Sequence, residues 1–172
     1  MEKFFKRLTA CLLLLFVQIL LLNRLIIMGH IVPFAYFMLV LILDSDVSSS
    51  KRMIWGFAMG LVVDVFMNTP GLQASVMTLL AYIQRYLLRL FVSFDRRDRL
   101  EPGVVSMGMR YYSFYLILGS FVFNSGYYLL VTSLNDGWKY LLVEVLLGTA
   151  ISVLMMLVFE YLFRRNIRRR LR

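Results

Sequence analysis

The chain has 172 residues, of which 60% are hydrophobic and 17% are charged, and its mean hydropathy is +0.75. These values lie outside the range of ordinary soluble domains and predict an integral membrane protein with a single domain over residues 1–172. The net charge of +9 could indicate nucleic-acid binding. However, the basic residues bracket apolar segments and form no stripe with interleaved aromatic residues, so we expect no nucleic-acid partner.

Apolar segments recur along the whole chain and are separated by short polar turns. The first follows the basic stretch MEKFFKR and resembles the start of a signal peptide, but no small-residue cleavage site follows it, so we expect a retained helix. Asn68-Thr69-Pro70-Gly71 marks a turn between the third and fourth segments. The six predicted spans cover residues 8–22, 25–43, 53–67, 72–88, 111–131 and 138–163.

The positions of the basic residues predict the orientation of these spans. With both termini in the cytoplasm, all but two of the 19 lysines and arginines fall on the cytoplasmic side, including a basic loop at 95–110. The two exceptions are Arg24 and Lys139. Because cytoplasmic loops carry an excess of Lys and Arg, the sequence predicts a six-helix, multi-pass protein with both termini inside.

The third segment carries a regular pattern of small and acidic residues. Gly56, Gly60 and Asp64 recur every fourth position, which places them on one face of a helix. Two glycines spaced in this way allow another helix to approach closely. The face could bind a partner protein or a second copy of this chain, or it could pack against the other helices of this protein. We expect the partner contact. The pattern predicts a helix–helix interface rather than a catalytic site.

Polar residues inside the spans concentrate in the predicted outer half of the membrane. Asp64 lies about 17 Å from the cytoplasmic end of its span, at 1.5 Å of rise per residue. A shared outer polar layer is therefore predicted, with Asp64 hydrogen-bonded to it and sharing a proton with Glu144. The alternative is that each group is satisfied separately, by backbone carbonyls or by snorkelling to the membrane interface. Besides Asp64, the residues of the predicted layer are Gln18, His30, Asn68, Asn124 and Glu144.

The C-terminal tail, residues 164–172, is strongly basic. It is predicted to anchor the topology and bind anionic lipids, or to dock an acidic cytoplasmic partner. Its arginines are Arg164, Arg165, Arg168, Arg169, Arg170 and Arg172.

Motifs for catalysis or for cofactor binding are missing from the sequence. The chain has one histidine and one cysteine, and no glycine loop of the type that binds phosphate. We therefore expect no enzymatic activity, no metal and no cofactor.

The run WGFAMGLVVDVFMNTPGLQASVMTLLAY, from Trp55 to Tyr82, resembles the rod shape-determining protein MreD family. The similarity covers about a sixth of the chain and rests on a G-x-x-x-G-x-x-x-D helix, a glycine turn and a following helix with small residues. Chain length, six spans, the basic loop and the basic tail are also similar to that family. The matching positions are Gly56, Gly60, Asp64, Gly71, Ala74, Ala81 and Tyr82.

The resemblance implies a non-enzymatic subunit of the cell-elongation machinery in the bacterial inner membrane. Such a protein binds the single-span protein MreC and connects MreB filaments to the synthases of lateral peptidoglycan. The family also resembles in fold the substrate-binding subunits of energy-coupling-factor transporters. The alternative function is therefore a vitamin-binding subunit of an importer, with the outer polar layer as its ligand site.

Overall fold

The computed structural model describes residues 34–92, 102–131 and 138–170, with side chains as far as residue 161 in the last range. Within these residues every regular element is a helix and none is a strand, which confirms the all-helical prediction for this part of the chain. In chain order the elements are α1 (Met38–Leu41), α2 (Ser49–Met67), α3 (Leu72–Phe91), α4 (Val104–Met107), α5 (Met109–Val131) and α6 (Trp138–Arg170).

The longer helices extend beyond the predicted spans, mainly at the ends predicted to be cytoplasmic. α2 begins at Ser49, α5 begins at Met109, and α4 forms inside the segment predicted as a basic loop. α6 continues to Arg170, through most of the predicted tail. No glycine or proline interrupts residues 164–170, and arginine is a good helix former, so nothing in this stretch ends the helix.

The segment predicted as the second span differs most from its prediction. Of residues 25–43, the structure describes residues 34–43, and only α1 is helical there. The backbone is instead tightly wound, with N–H groups bonded three residues back, as from Met38 to the carbonyl of Ala35. Residues 34–41 are all buried. We call residues 34–43 the buried segment.

The packing order of the helices surrounds this segment. α2 packs along α3, α3 contacts α5, and α5 packs along α6, while α1 contacts α2, α3 and α5. The buried segment therefore lies inside the bundle, where its backbone polar groups depend on protein partners.

Aromatic rings fill the space between the buried segment and α5. Phe37 stacks on Phe123 with ring centroids 4.3 Å apart, and Phe34 meets Tyr127 edge-on at 4.6 Å. Phe34, Phe37 and Phe123 have no exposed surface. The rings thus pack against one another, in the geometries that aromatic pairs favour.

Large apolar side chains are exposed over much of the surface, and several polar and charged residues are buried. Large apolar side chains such as Phe57, Val65 and Leu154 are 50–75% exposed. An exposed apolar surface of this extent marks contact with a membrane or a protein. Met109–Val131 and Trp138–Tyr161 are long and apolar enough to cross a membrane. The buried polar and charged residues are Arg52, Asp64, Gln73, Gln84, Ser120, Asn124, Thr149 and Ser152.

Candidate functional site: the Asp64 junction

The glycine face of α2 packs against α3 of the same chain. A Cβ atom added at Gly60 would lie 2.5 Å from the Cα of Ala74, and one added at Gly56 would lie 2.9 Å from the carbonyl oxygen of Met77. Contacts this short leave no room for a side chain, so the glycines permit the two backbones to touch. The structure thus places the predicted interface inside the protein, and a partner would have to displace α3 to reach it.

Asp64 joins the two helices through its carboxylate. Oδ1 accepts hydrogen bonds from the hydroxyl of Thr69 at 2.9 Å and from the backbone N–H of Gln73 at 2.8 Å. Oδ2 accepts one from the backbone N–H of Ala74 at 2.9 Å. Gly71 precedes α3 and has no side chain that could cap the helix. Asp64, on the neighbouring helix, therefore accepts the backbone hydrogen bonds that the side chain of an N-cap residue usually accepts.

The backbone of Asp64 closes the end of α2 as well. Its carbonyl accepts hydrogen bonds from the N–H groups of Asn68 and Thr69. Asn68 adopts the left-handed conformation, with φ 56° and ψ 41°, that commonly ends a helix and that asparagine tolerates. Asp64 therefore satisfies groups at both helix ends that meet at this turn. We call the contacts of Asp64, Thr69, Gln73 and Ala74 the Asp64 junction.

The prediction that Asp64 shares a proton directly with Glu144 is wrong, because the carboxylate of Asp64 accepts its hydrogen bonds from Thr69, Gln73 and Ala74 instead. An ionised carboxylate accepts hydrogen bonds and donates none, so these contacts require no proton on Asp64. Glu144 is half-buried on α6 and lies close enough to Tyr127 for an electrostatic interaction.

The other residues of the predicted outer layer lie in different surroundings. Asn68 is exposed at the turn and Asn124 is fully buried between α5 and α6. Gln18 and His30 lie outside the described residues. None of Asn68, Asn124 and Glu144 forms a hydrogen bond with the carboxylate of Asp64.

Two glutamines of α3 hold the two ends of the buried segment. Gln73 accepts a hydrogen bond from the hydroxyl of Tyr36 at 2.7 Å. Eleven residues on, Gln84 donates through Nε2 to the carbonyls of Leu41 and Leu43, each at 3.2 Å. Three helical turns separate the glutamines, so both face the segment. The sequence analysis missed this pair, although two glutamines eleven residues apart in an apolar helix could have indicated it.

Tyr115 and Arg52 complete the polar contacts at the C-terminal end of the segment. The hydroxyl of Tyr115 donates to the carbonyl of Leu41 at 2.8 Å. Nη2 of Arg52 donates to the carbonyls of Asp44 at 3.0 Å and Val47 at 2.9 Å. Burial lowers the pKa of the Arg52 guanidinium; Tyr115 opposes that change, and the nearby positive charge of Arg85 adds to it.

Polar side chains also line the contact between α5 and α6. Asn124 donates through Nδ2 to the carbonyl of Ser120 at 2.8 Å, one turn earlier in α5. Its Oδ1 faces Gly148 and has no hydrogen-bond partner. The hydroxyls of Thr149 and Ser152 on α6 are likewise buried without a partner. Removing such groups should therefore cost the protein little.

The basic tail is helical in its backbone as far as Arg170, and its side chains lie outside those that the structure describes. Its predicted role in binding lipid or a partner therefore stays a prediction. In the described part of the chain, no group of three or more His, Cys, Asp or Glu side chains could hold a metal ion.

Comparison with known protein families, with curated proteins and with solved structures gives no match to this chain. The site is therefore defined by its structure alone. It consists of an all-helical, apolar-surfaced bundle with a glycine-tight helical hairpin and a buried irregular segment.

Proposed function

We propose that the chain is a non-enzymatic, multi-pass subunit of the bacterial inner membrane that acts in cell elongation. In this role it binds an MreC-like single-span protein and links MreB filaments to lateral peptidoglycan synthesis. The resemblance of residues 55–82 to the MreD family carries the proposal. The Asp64 junction supports it, because Gly56, Gly60 and Asp64 each have a definite structural task in one hairpin.

The exposed apolar surface is where the partner would bind. The glycine face is filled by α3, whereas Phe57, Leu61 and Val65, which lie about 100° round α2 from that face, are 45–75% exposed. These residues recur every fourth position and form one stripe along the helix. A single membrane helix that packs on this stripe would bury apolar surface without disturbing the hairpin.

The alternative, a vitamin-binding subunit, needs space for a ligand between the polar and aromatic residues at the outer end. The aromatic rings there are in contact with one another, as in the pairs Phe37–Phe123 and Phe34–Tyr127. This packing favours a scaffold over a ligand-binding subunit.

Site-directed photo-crosslinking in the native host tests the proposal. A photoreactive residue at Leu61, which is 45% exposed, should give an adduct with the MreC-like protein, identified by mass spectrometry. The matched control is Val63, two positions away and fully buried, which should give none. Depletion of the protein should also turn rod-shaped cells round. Normal elongation after depletion, together with a copurifying vitamin that stabilises the protein, would support the importer subunit instead.

A further inference from the structure

Arg52 is a buried charge with most of its hydrogen-bonding capacity unused. The residue has no exposed surface, and among the residues that the structure describes only its Nη2 has hydrogen-bond partners. Nε and Nη1 are buried with no partner in that part of the chain, and no described carboxylate forms an ion pair with Arg52. A guanidinium has five N–H donors in a fixed planar fork, so three of its donors lack an acceptor.

This arrangement is unfavourable unless an acceptor is supplied from elsewhere. Buried arginines are normally paired with an anion, because removing the charge from water is otherwise costly. The charged side chain that acts on Arg52 most directly from α3 is Arg85, which has the same sign. The charge on α3 therefore favours an anion.

The start of α2 lies beside the same guanidinium. Nη2 contacts the carbonyls of Asp44 and Val47, which directly precede Ser48, the N-cap residue of α2. Ser48 makes no side-chain capping bond. The first N–H groups of a helix have no partner within it, and they form the positive end of its dipole. Free backbone donors and unpaired arginine donors thus occur at one end of one helix.

We propose that Arg52 and the N-terminus of α2 bind a phosphate group through Nε and Nη1 of Arg52 and the N–H groups of residues 49–51. Planar guanidinium donors and helix N-termini both suit phosphate oxygens. Asp44 and Asp46 in the adjoining turn oppose a doubly charged anion, so the site favours a singly charged phosphodiester, as in a phospholipid headgroup. Asp46 and Ser48 are exposed, so the start of α2 lies at the protein surface.

This site goes beyond the proposed function, since it needs no protein partner and no role in cell shape. The predicted orientation would place the start of α2 at the cytoplasmic leaflet, and only that placement rests on the six-span prediction. A failure of phosphate binding would therefore leave the elongation proposal untouched, and the absence of an MreC-like partner would leave the phosphate site untouched.

The test is thermal unfolding of the purified full-length protein in a maltoside detergent, which contains no phosphate. The probes are phosphatidylglycerol, phosphatidylcholine, inorganic phosphate and diacylglycerol. Both phospholipids should raise the unfolding midpoint in a saturable way, because ligands that bind only the folded state stabilise it. Diacylglycerol should not. An equal response to inorganic phosphate would confirm the phosphate site and identify a soluble source.

Three variants assign the response to this site. Arg52→Gln should lose it, and Arg89→Gln, which removes the same charge from an exposed position of α3, should retain it. Ser48→Asp is the decisive variant because Arg52→Gln could also disturb folding. An aspartate caps a helix well but repels a phosphate, so this variant should be as stable as the native protein and yet unresponsive. An equal response to diacylglycerol, or a full phospholipid response in Ser48→Asp, would overturn the proposal.

Discussion

Asp64 and Ala74 are joined by a 2.9 Å hydrogen bond from the backbone N–H of Ala74 to Oδ2 of Asp64. The bond links the last part of α2 to the first turn of α3 across the Asn68–Gly71 turn. Gly60 lies against the same residue, since a Cβ atom there would come within 2.5 Å of the Cα of Ala74. Close backbone packing and helix capping therefore both act on Ala74. Substitution of either of its partners, Gly60 or Asp64, should be costly.

Asp64→Asn should destabilise the protein although it preserves shape and hydrogen-bonding capacity. Each carboxylate oxygen accepts a backbone N–H, from Gln73 or from Ala74. In either orientation, the amide NH₂ of asparagine therefore faces a backbone donor. The loss is about 1–3 kcal/mol, the usual cost of a buried donor without an acceptor. Thermal unfolding in detergent measures it.

The control for this variant is Asp46→Asn, which removes the same charge from an exposed turn and should change the midpoint little. Proton sharing between Asp64 and Glu144, the expectation from sequence alone, leads to the opposite result. If Asp64→Asn unfolds at the same temperature as the native protein, the capping role of the carboxylate is wrong.

Replacement of glycines by alanine should give a graded series that follows the distances to the neighbouring backbone. Gly60→Ala places a methyl group on the backbone of Ala74 and should cost about 2–3 kcal/mol, as overpacking does. Gly56→Ala should cost about 1–2 kcal/mol on the same basis. In Gly126→Ala the methyl group meets only the side chain of Val76, at 3.2 Å. That variant should be neutral or more stable by up to about 1 kcal/mol, because alanine favours the helix.

The measurement for this series is again the unfolding midpoint in detergent, accompanied by a check of membrane insertion. Gly126→Ala is the matched control, since it adds the same methyl group to another helix of the bundle. Equal losses at Gly60 and Gly126 would contradict the close contact of α2 with α3.

Sequence reasoning predicted the helical class and the glycine face because both depend on local periodicity. Gly56, Gly60 and Asp64 recur every fourth position, so the sequence alone places them on one face of α2. Which helix fills that face is a tertiary fact, and the approach of Ala74 required the structure. The same holds for Asp64, whose partners Gln73 and Ala74 are nine and ten residues away.

The buried segment shows the limit of hydropathy more clearly. Residues 25–43 are as apolar as a membrane helix, and apolarity predicts burial without specifying the conformation. Residues 34–41 are buried, but they form a helix only in α1. Their backbone is satisfied by side chains distant in sequence, such as Gln84 and Tyr115, and no pattern within the segment reveals those partners.

Two hydroxyl deletions should have opposite effects. Tyr115→Phe removes a bond to the carbonyl of Leu41, and Gln84 still contacts that carbonyl, so the cost should be about 1 kcal/mol. Ser152→Ala removes a buried hydroxyl without a partner and should stabilise the protein by up to about 1 kcal/mol. Tyr111→Phe, at an exposed position, is the control. A loss of stability in Ser152→Ala would show that its hydroxyl has a partner in the membrane, such as an ordered water.

The predicted orientation can be tested by labelling single cysteines from either side of the membrane. In a Cys11→Ala background, a cysteine at Asp136 should react with an impermeant maleimide in intact spheroplasts, because that loop is predicted to lie outside. Cysteines at Asp46, in an exposed turn, and at Arg97 should react only after permeabilisation. The reason is the distribution of basic residues, which leaves only Arg24 and Lys139 on the outer side.

Labelling at Asp46 and Arg97 also determines on which side of the membrane the phosphate site lies, since Asp46 adjoins the start of α2. Reaction of Arg97→Cys from outside would exclude the six-span topology, whereas reaction of Asp46→Cys alone would show that the buried segment does not carry the chain across the membrane.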